Sequence, residues 1–220
     1  MERLREVLQK RTGHVRVVFE EPSNPNNSWA GLRTVDSFGI QRVDVVMKQQ
    51  PAGKRKRLKT MCSALGSQKW LSLNGHSSAK DMADRVKADG YRLIGSDLSP
   101  GAKPISEINW DEKTAVVFGN EETGISPEMR EACEETFYLP MMGFAESFNL
   151  SVSLGITLTH ILCKGGIIEG DFTEDERERV MLKWLLSSVR GSNLILKRAG
   201  INLVAKTKRE ESIGGFTTRL

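Results

Sequence analysis

The chain has 220 residues, enough for one sizeable α/β domain with short appendages. At 39% hydrophobic and 27% charged residues its composition is that of an ordinary globular protein, without low-complexity tracts or internal repeats. No window approaches the ~18 apolar residues of a membrane span, and the first residues carry mixed charge without an apolar stretch, so neither a membrane anchor nor a secretory signal is expected. A net charge of +4 permits a nucleic-acid partner without demanding one. Cys62, Cys133 and Cys163 stand far apart with no histidine at ligand spacing, which argues against a metal site and a disulfide framework. A reducing compartment, the cytoplasm, is therefore expected, with an organelle as the alternative.

Residues 3–11 predict a short charged helix with Leu4, Val7 and Leu8 on one face, stopped by Thr12-Gly13. Val15-Arg16-Val17-Val18-Phe19-Glu20 is β-branched and apolar, a first strand. Glu21 to Asn27 is rich in turn residues and predicts a loop. A helix is expected from Ser28, with Trp29, Leu32, Val35 and Phe38 toward the core and Gly39 as its stop. Residues 43–47 read as a second strand. Lys54-Arg55-Lys56-Arg57-Leu58-Lys59 then packs five cations into six residues, either a solvated loop or a phosphate-contacting patch.

Ser77 or Ser78 caps a helix ending near Gly90, and residues 91–96 form a third major strand. After a loop with Pro100, Gly101 and Pro104, residues 114–119 form another strand. A glycine-bearing loop follows to Ile125, and Ser126-Pro127-Glu128 opens a helix with a capping serine and a proline at its first turn. Residues 136–139 are the last clear strand. Strands thus alternate with helices, and their apolar runs lack clean alternation, which predicts an α/β fold with a mostly parallel sheet covered on both faces.

Leu139-Pro140-Met141-Met142-Gly143-Phe144 then leads to Glu146-Ser147-Phe148-Asn149-Leu150-Ser151, where Ser147, Asn149 and Ser151 can each start a helix running to Cys163. So much apolar surface in a bend predicts that the bend is packed or wraps a ligand. Beyond Gly165-Gly166, Thr173 and Glu176 make a capping box for a helix carrying Val180, Leu182, Trp184, Leu185 and Val189 and ending at Gly191. A second short helix is expected from Ser192 to about Ala199, carrying Lys197 and Arg198, before a polar tail from Lys206. The segments read as a helical extension (1–14), a central domain (15–166), a C-terminal helical extension (167–205) and a tail (206–220).

In a doubly covered parallel sheet, ligands bind at the carboxyl ends of the strands. Three polar, glycine-bearing loops fall there: residues 24–33, 119–126 and 139–149. None is a dinucleotide fingerprint or a P-loop, and no nucleophile elbow or Ser/His/Asp set is visible; His14, His76 and His160 look isolated.

The three stretches Asn27-Ser28-Trp29-Ala30-Gly31-Leu32-Arg33-Thr34, Phe118-Gly119-Asn120-Glu121-Glu122-Thr123-Gly124-Ile125-Ser126 and Leu139-Pro140-Met141-Met142-Gly143 to Ser147-Phe148-Asn149-Leu150-Ser151-Val152 resemble, in order and spacing, the motifs of the SpoU (TrmH) branch of the SPOUT RNA methyltransferases. The resemblance implies a deep trefoil knot in the C-terminal part of the sheet, a homodimer through the knot region, and S-adenosylmethionine bent within it. The cofactor would lie against Ser96, Gly119, Leu139, Met141 and Phe148. Val152, Gly155, Ile156, Thr159 and Cys163 make a helical stripe on which a partner helix, or another helix of the same chain, could pack.

The implied reaction transfers a methyl group to a ribose 2′-hydroxyl of RNA. Arg33 occupies the catalytic arginine position; a guanidinium stays protonated, so a grip on the neighbouring phosphate suits it better than acting as a base. Asn27 and Glu121 would orient Arg33 and the ribose, and Ser147 and Asn149 would complete the site. Trp29 stands where the family usually has a small residue, and Glu146 where glutamine is common. The short extensions resemble the subgroup acting on guanosine 18 in the D-loop of tRNA, with Lys54, Arg55, Lys56, Arg57, Lys197 and Arg198 gripping phosphates. Alternatives are a wobble-position or ribosomal-RNA substrate, or a non-catalytic RNA-binding knot protein.

Overall fold

β1 (Thr12–Glu20) is buried along its whole length, as a strand flanked on both sides and covered on both faces must be. This computed structural model describes residues 1–23, 25–47, 67–189, 191, 192 and 198. The run Lys54 to Lys59, Lys197 and the tail from Lys206 lie outside the described residues, as do residues 193–197 and 199 of the expected second C-terminal helix and the side chain of Trp29.

Seven parallel strands lie in the order β3-β2-β1-β6-β4-β7-β5. They are β1, β2 (Ile40–Val46), β3 (Ser72–His76), β4 (Arg92–Ser96), β5 (Lys103–Pro104), β6 (Thr114–Phe118) and β7 (Glu135–Tyr138). The described helices are α1 (Glu2–Gln9), α2 (Pro25–Ser37), α3 (Ala79–Ala88), α4 (Pro127–Ala132), α5 (Leu150–Cys163) and α6 (Glu174–Ser188). From β1 the chain builds outward through β2 to β3, then returns to lay β6 against the other side of β1. The strand order therefore reverses between β1 and β6, the place in such a sheet where ligands bind beyond the strand ends.

Two layers cover the sheet. On one face α2 and α5 pack Leu32, Val35, Leu154, Leu158 and Ile161 against Phe19, Val116 and Phe137. On the other, α3 and α4 bring Met82, Val86 and Met129 onto Val18, Leu93 and Val117. Burying each such side chain contributes about 1.5–3 kcal/mol, against about 1 kcal/mol for a helix cap. The sheet core therefore sets the fold and the caps set the helix ends. Ser78, Ser126 and Asn149 cap α3, α4 and α5 through side-chain oxygens, and the Thr173–Glu176 capping box opens α6.

Several expectations need correction. β1 begins at Thr12 and β2 at Ile40, three residues earlier than their apolar runs suggested, because Thr12 and Ile40 pair with each other. α2 begins at Pro25, not Ser28; a proline fits the first turn, where its missing N–H costs nothing. β3 and the two-residue β5 were not anticipated. β3 contains Asn74 and Gly75, poor strand formers, and holds its place at the sheet's margin by pairing with β2, where Asn74 Nδ2 donates to Asp44 Oδ1 at 3.2 Å. His76 is not isolated: its Nε2 lies 2.8 Å from Asp44 Oδ1 and its Nδ1 3.4 Å from Asp81. Arg16 Nε is 3.1 Å from Asp44 Oδ2 but off the line of a hydrogen bond, so that contact is purely electrostatic.

α1 and α6 pack together at the opposite end of the sheet through Leu8, Phe172, Val180 and Trp184. Asp171 Oδ1 accepts from the Gly13 amide at 2.6 Å, and Glu176 pairs with Arg42.

Candidate active site

The three loops singled out from the sequence converge beyond the carboxyl ends of β1, β6 and β7. Asn27 stands in the first turn of α2, Glu121 in the turn after β6, and Asn149 caps α5. They form one hydrogen-bonded chain. Asn27 Nδ2 donates to Glu121 Oε1 at 3.0 Å, and Asn149 Nδ2 donates to Asn27 Oδ1 at 3.0 Å. Asn149 Oδ1 in turn accepts from the Ser151 amide at 2.9 Å and its hydroxyl at 2.8 Å. The other Glu121 oxygen accepts from the Ser23 amide and hydroxyl, each at 2.8 Å. Burial pushes the Glu121 carboxyl up, but the donors from Ser23 and Asn27 outweigh it and hold it below the usual glutamate range. Glu121 is therefore an ionised acceptor, and its donors among the described residues are neutral.

The loop after β6 is a closed turn. Asn120 and Gly124 exchange two backbone hydrogen bonds, each 2.9 Å, and Asn120 Oδ1 caps the Glu122 amide at 2.8 Å. Only glycine fits position 119: an added Cβ would lie 2.2 Å from the Gly124 carbonyl carbon. Gly31 lets α2 approach α5, where a Cβ would already crowd Phe19 at 3.2 Å and Leu154 at 3.3 Å.

Arg33 is exposed on α2 and makes no ion pair among the described residues. Ser147 is exposed two residues before the cap of α5. Among the described residues Arg33 is thus an exposed cation without an ion-pair partner, a group suited to anionic oxygen.

Ser96 is half-buried at the end of β4, Leu139 is buried after β7, and Met141 is half-buried. The bend that follows is exposed, contrary to the expectation that its apolar side chains pack within the chain. Met142 is 100% and Phe148 39% exposed, and Phe144 is fully exposed. No described element lies over them, so the bend presents its apolar groups outward.

Sequence reasoning missed four supports. Asp97, directly after β4, accepts from Arg130 Nε at 2.6 Å and Nη2 at 3.2 Å. Burial raises its carboxyl, but Arg130 and Ser99 hold it below the carboxylate norm. Glu20 accepts from the Ser126 amide at 2.8 Å and hydroxyl at 2.6 Å. Asn120 and Ser23 complete the set. Only the glycine-bearing loop hinted at them, because their partners are distant in sequence. Cys133 is no nucleophile: burial pushes its thiol up to about 12. No described His, Cys, Asp or Glu group is arranged to hold a metal. Of the expected RNA contacts, Arg198 alone is described, and it is exposed.

The model of the SpoU rRNA Methylase family matches residues 14–159. A tRNA (guanosine(18)-2'-O)-methyltransferase of Borreliella burgdorferi is 31% identical over 195 residues, 88% of this chain and 87% of that protein. The Aquifex aeolicus protein of the same name is 28% identical over 193 residues, 86% of this chain and 90% of that protein. The crystal structure of an A. aeolicus TrmH/SpoU tRNA modifying enzyme superposes with a TM-score of 0.71 at 28% identity, covering 86% of this chain and 96% of that one. Three motifs joined by one hydrogen-bonded chain at the sheet's switch point, within a match of this extent, place the chain in the SpoU methylase family.

Proposed function

We propose that this protein transfers a methyl group from S-adenosylmethionine to the ribose 2′-hydroxyl of guanosine 18 in tRNA. The observation that carries the reading is the Glu121–Asn27–Asn149 chain, which draws all three motifs to one point at the start of the helix that carries Arg33, exposed and without an ion pair among the described residues. The relatives similar over most of this chain are named for that reaction.

The residues present fit the cofactor. Gly119 lets the loop after β6 close tightly on itself, Ser96 stands at the end of the neighbouring β4 and Leu139 follows β7, and the apolar groups of Met141, Met142 and Phe148 suit an adenosyl-thioether surface. When bound, the cofactor supplies the electrophilic methyl. Arg33 grips the phosphate beside the target ribose and stabilises negative charge growing on the hydroxyl oxygen. As that oxygen took the methyl carbon, the carbon–sulfur bond of the cofactor would break to leave the neutral thioether S-adenosylhomocysteine, and the hydroxyl proton would leave to solvent, since a guanidinium cannot take it. Asn27 and Asn149, fixed by Glu121, orient the ribose, and Ser147 borders it. Distances near 3 Å among these groups make them a preorganised set rather than one assembled on binding.

Two further features complete the reading. β7 lies between β4 and β5, and Gly166 packs so closely on Trp110 that a Cβ would fall 2.7 Å from its carbonyl oxygen. Both support a trefoil knot, with the chain after β6 passing through the connection that leaves β4. The outward stripe of Val152, 47% exposed, and Ile156, 40% exposed, with Gly155 between them, supports a homodimer through α5. The helical segment before β1 and the segment 167–205 serve as the extensions that meet tRNA, with Arg198, Lys197 and residues 54–57 on phosphates. The cytoplasm is the expected location; no described helix is long and apolar enough to cross a membrane.

Incubation with methyl-labelled S-adenosylmethionine and tRNA transcripts with and without guanosine 18 tests this. Label on the first alone is expected. Label on both moves the target elsewhere, and label on neither, with cofactor still bound, makes the protein a non-catalytic RNA binder.

A further inference from the structure

The turn between β1 and α2 makes an unusual set of contacts. Glu21 has φ 46°, the one left-handed non-glycine residue among those described. For a side-chain-bearing residue that conformation is strained, so something must hold it. Its amide donates to the Val46 carbonyl at 2.9 Å, and its carbonyl accepts from Asn120 Nδ2 at 2.7 Å. The preceding residue, Glu20, holds the far end of the loop after β6 through Ser126. Ser23 holds the middle through Glu121. Three of four consecutive residues thus clamp the start, middle and end of one loop.

A serine in a turn ordinarily bonds its own neighbouring backbone. Here both Ser23 donors reach a residue 98 positions away, and both go to the same oxygen, Oε2. Oε1 is thereby turned toward Asn27.

We propose that Ser23 is a positioning residue for the transfer reaction, aiming the Glu121 carboxylate so that Asn27 and Asn149 hold the ribose in line. The role rests on the functional reading given above. It acts through Glu121 and needs no contact between Ser23 and substrate. Removing the hydroxyl leaves the Ser23 amide in place, so the carboxylate loses one of its donors rather than all.

The test compares wild type with Ser23→Ala and Ser23→Thr. Ser23 is exposed, so neither change touches the core. Ser23→Ala is expected to lower kcat roughly tenfold, with cofactor affinity held within about twofold. Its acid limb in the pH–rate profile, and the carbon-13 titration of the Glu121 carboxyl, move up toward the ordinary glutamate value. Ser23→Thr, which keeps a hydroxyl, restores both. An active wild type beside a Ser23→Ala variant with unmoved acid limb and unmoved Glu121 titration overturns the positioning role alone. A wild type that transfers no methyl group to any tRNA overturns the functional reading and this role with it.

Discussion

The two ends of the sheet treat charge in different ways. At the end where α1 and α6 pack, cations are spent on structure. Arg11, 2% exposed, pairs with Asp36, donates to the Ile40 carbonyl at 3.2 Å and stacks 5.2 Å from the centre of the Trp184 ring. Arg42 bonds Tyr91 at 2.5 Å and pairs with Glu176, which also closes the capping box of α6. At the carboxyl end Arg130 is likewise paired, with Asp97, but the motif residues are held differently. The carboxylate of Glu121 accepts from the neutral groups of Ser23 and Asn27 among the described residues, and Arg33 stays exposed. A buried ion pair saturates both its members and leaves nothing for a ligand. A carboxylate held by amides and hydroxyls keeps its charge and orientation while leaving a nearby cation uncommitted. One end holds the molecule together; on the proposed function, the other is kept available for an anionic substrate.

The comparison can be broken from either side. The largest effect is expected from Trp184→Ala, which removes a side chain 1% exposed together with its indole bond to the Trp70 carbonyl at 2.7 Å. A stability loss of about 3–5 kcal/mol by denaturant titration is expected, with cofactor affinity per folded molecule unchanged.

Next comes Glu176→Gln, which strips the charge from the Arg42 pair. Both groups are partly reached by water, so the loss is about 1–2 kcal/mol. Burial raises the Glu176 carboxyl, but the Thr173 amide and Arg42 outweigh it and hold it below the usual range. A depressed carboxylate contributes fully above its unfolded value and loses that contribution as pH falls through the folded one. Wild type should therefore lose stability on acidification more steeply than Glu176→Gln, as parallel melts across pH would record.

The smallest effect on stability is expected at the open end. Asn149→Ala removes the cap of α5, worth about 1 kcal/mol, and cuts Asn27 from the third motif. A modest fall in melting temperature should accompany a much larger fall in kcat. The same stability loss with normal turnover would show that Asn149 is only a cap.

Local signals made most of the fold legible. The apolar runs around Val17, Val45, Ile94, Val116 and Phe137 announced five strands, and Ser77 or Ser78, Ser126, one of Ser147, Asn149 and Ser151, and Thr173 announced four helix starts, for which the caps are Ser78, Ser126, Asn149 and Thr173. β3 escaped because Asn74 and Gly75 hide a strand defined by its neighbour, and β5 because two residues carry no pattern. The site was legible in its motif residues but not in its supports. Glu20 bonds a residue 106 positions away and Ser23 one 98 away, separations no local pattern encodes. The exposed bend around Phe144 shows a further limit: apolar composition announces burial, but it does not say by what.

The central claim, that Arg33 is kept unpaired for the substrate rather than for the fold or the cofactor, is tested most directly by Arg33→Ala. S-adenosylmethionine affinity at equilibrium and single-turnover methyl transfer to tRNA would be measured on the same preparation. Transfer should fall by about 10²-fold or more, with cofactor affinity and melting temperature close to wild type. Equal loss of binding and transfer, or full transfer without the guanidinium, would contradict the account.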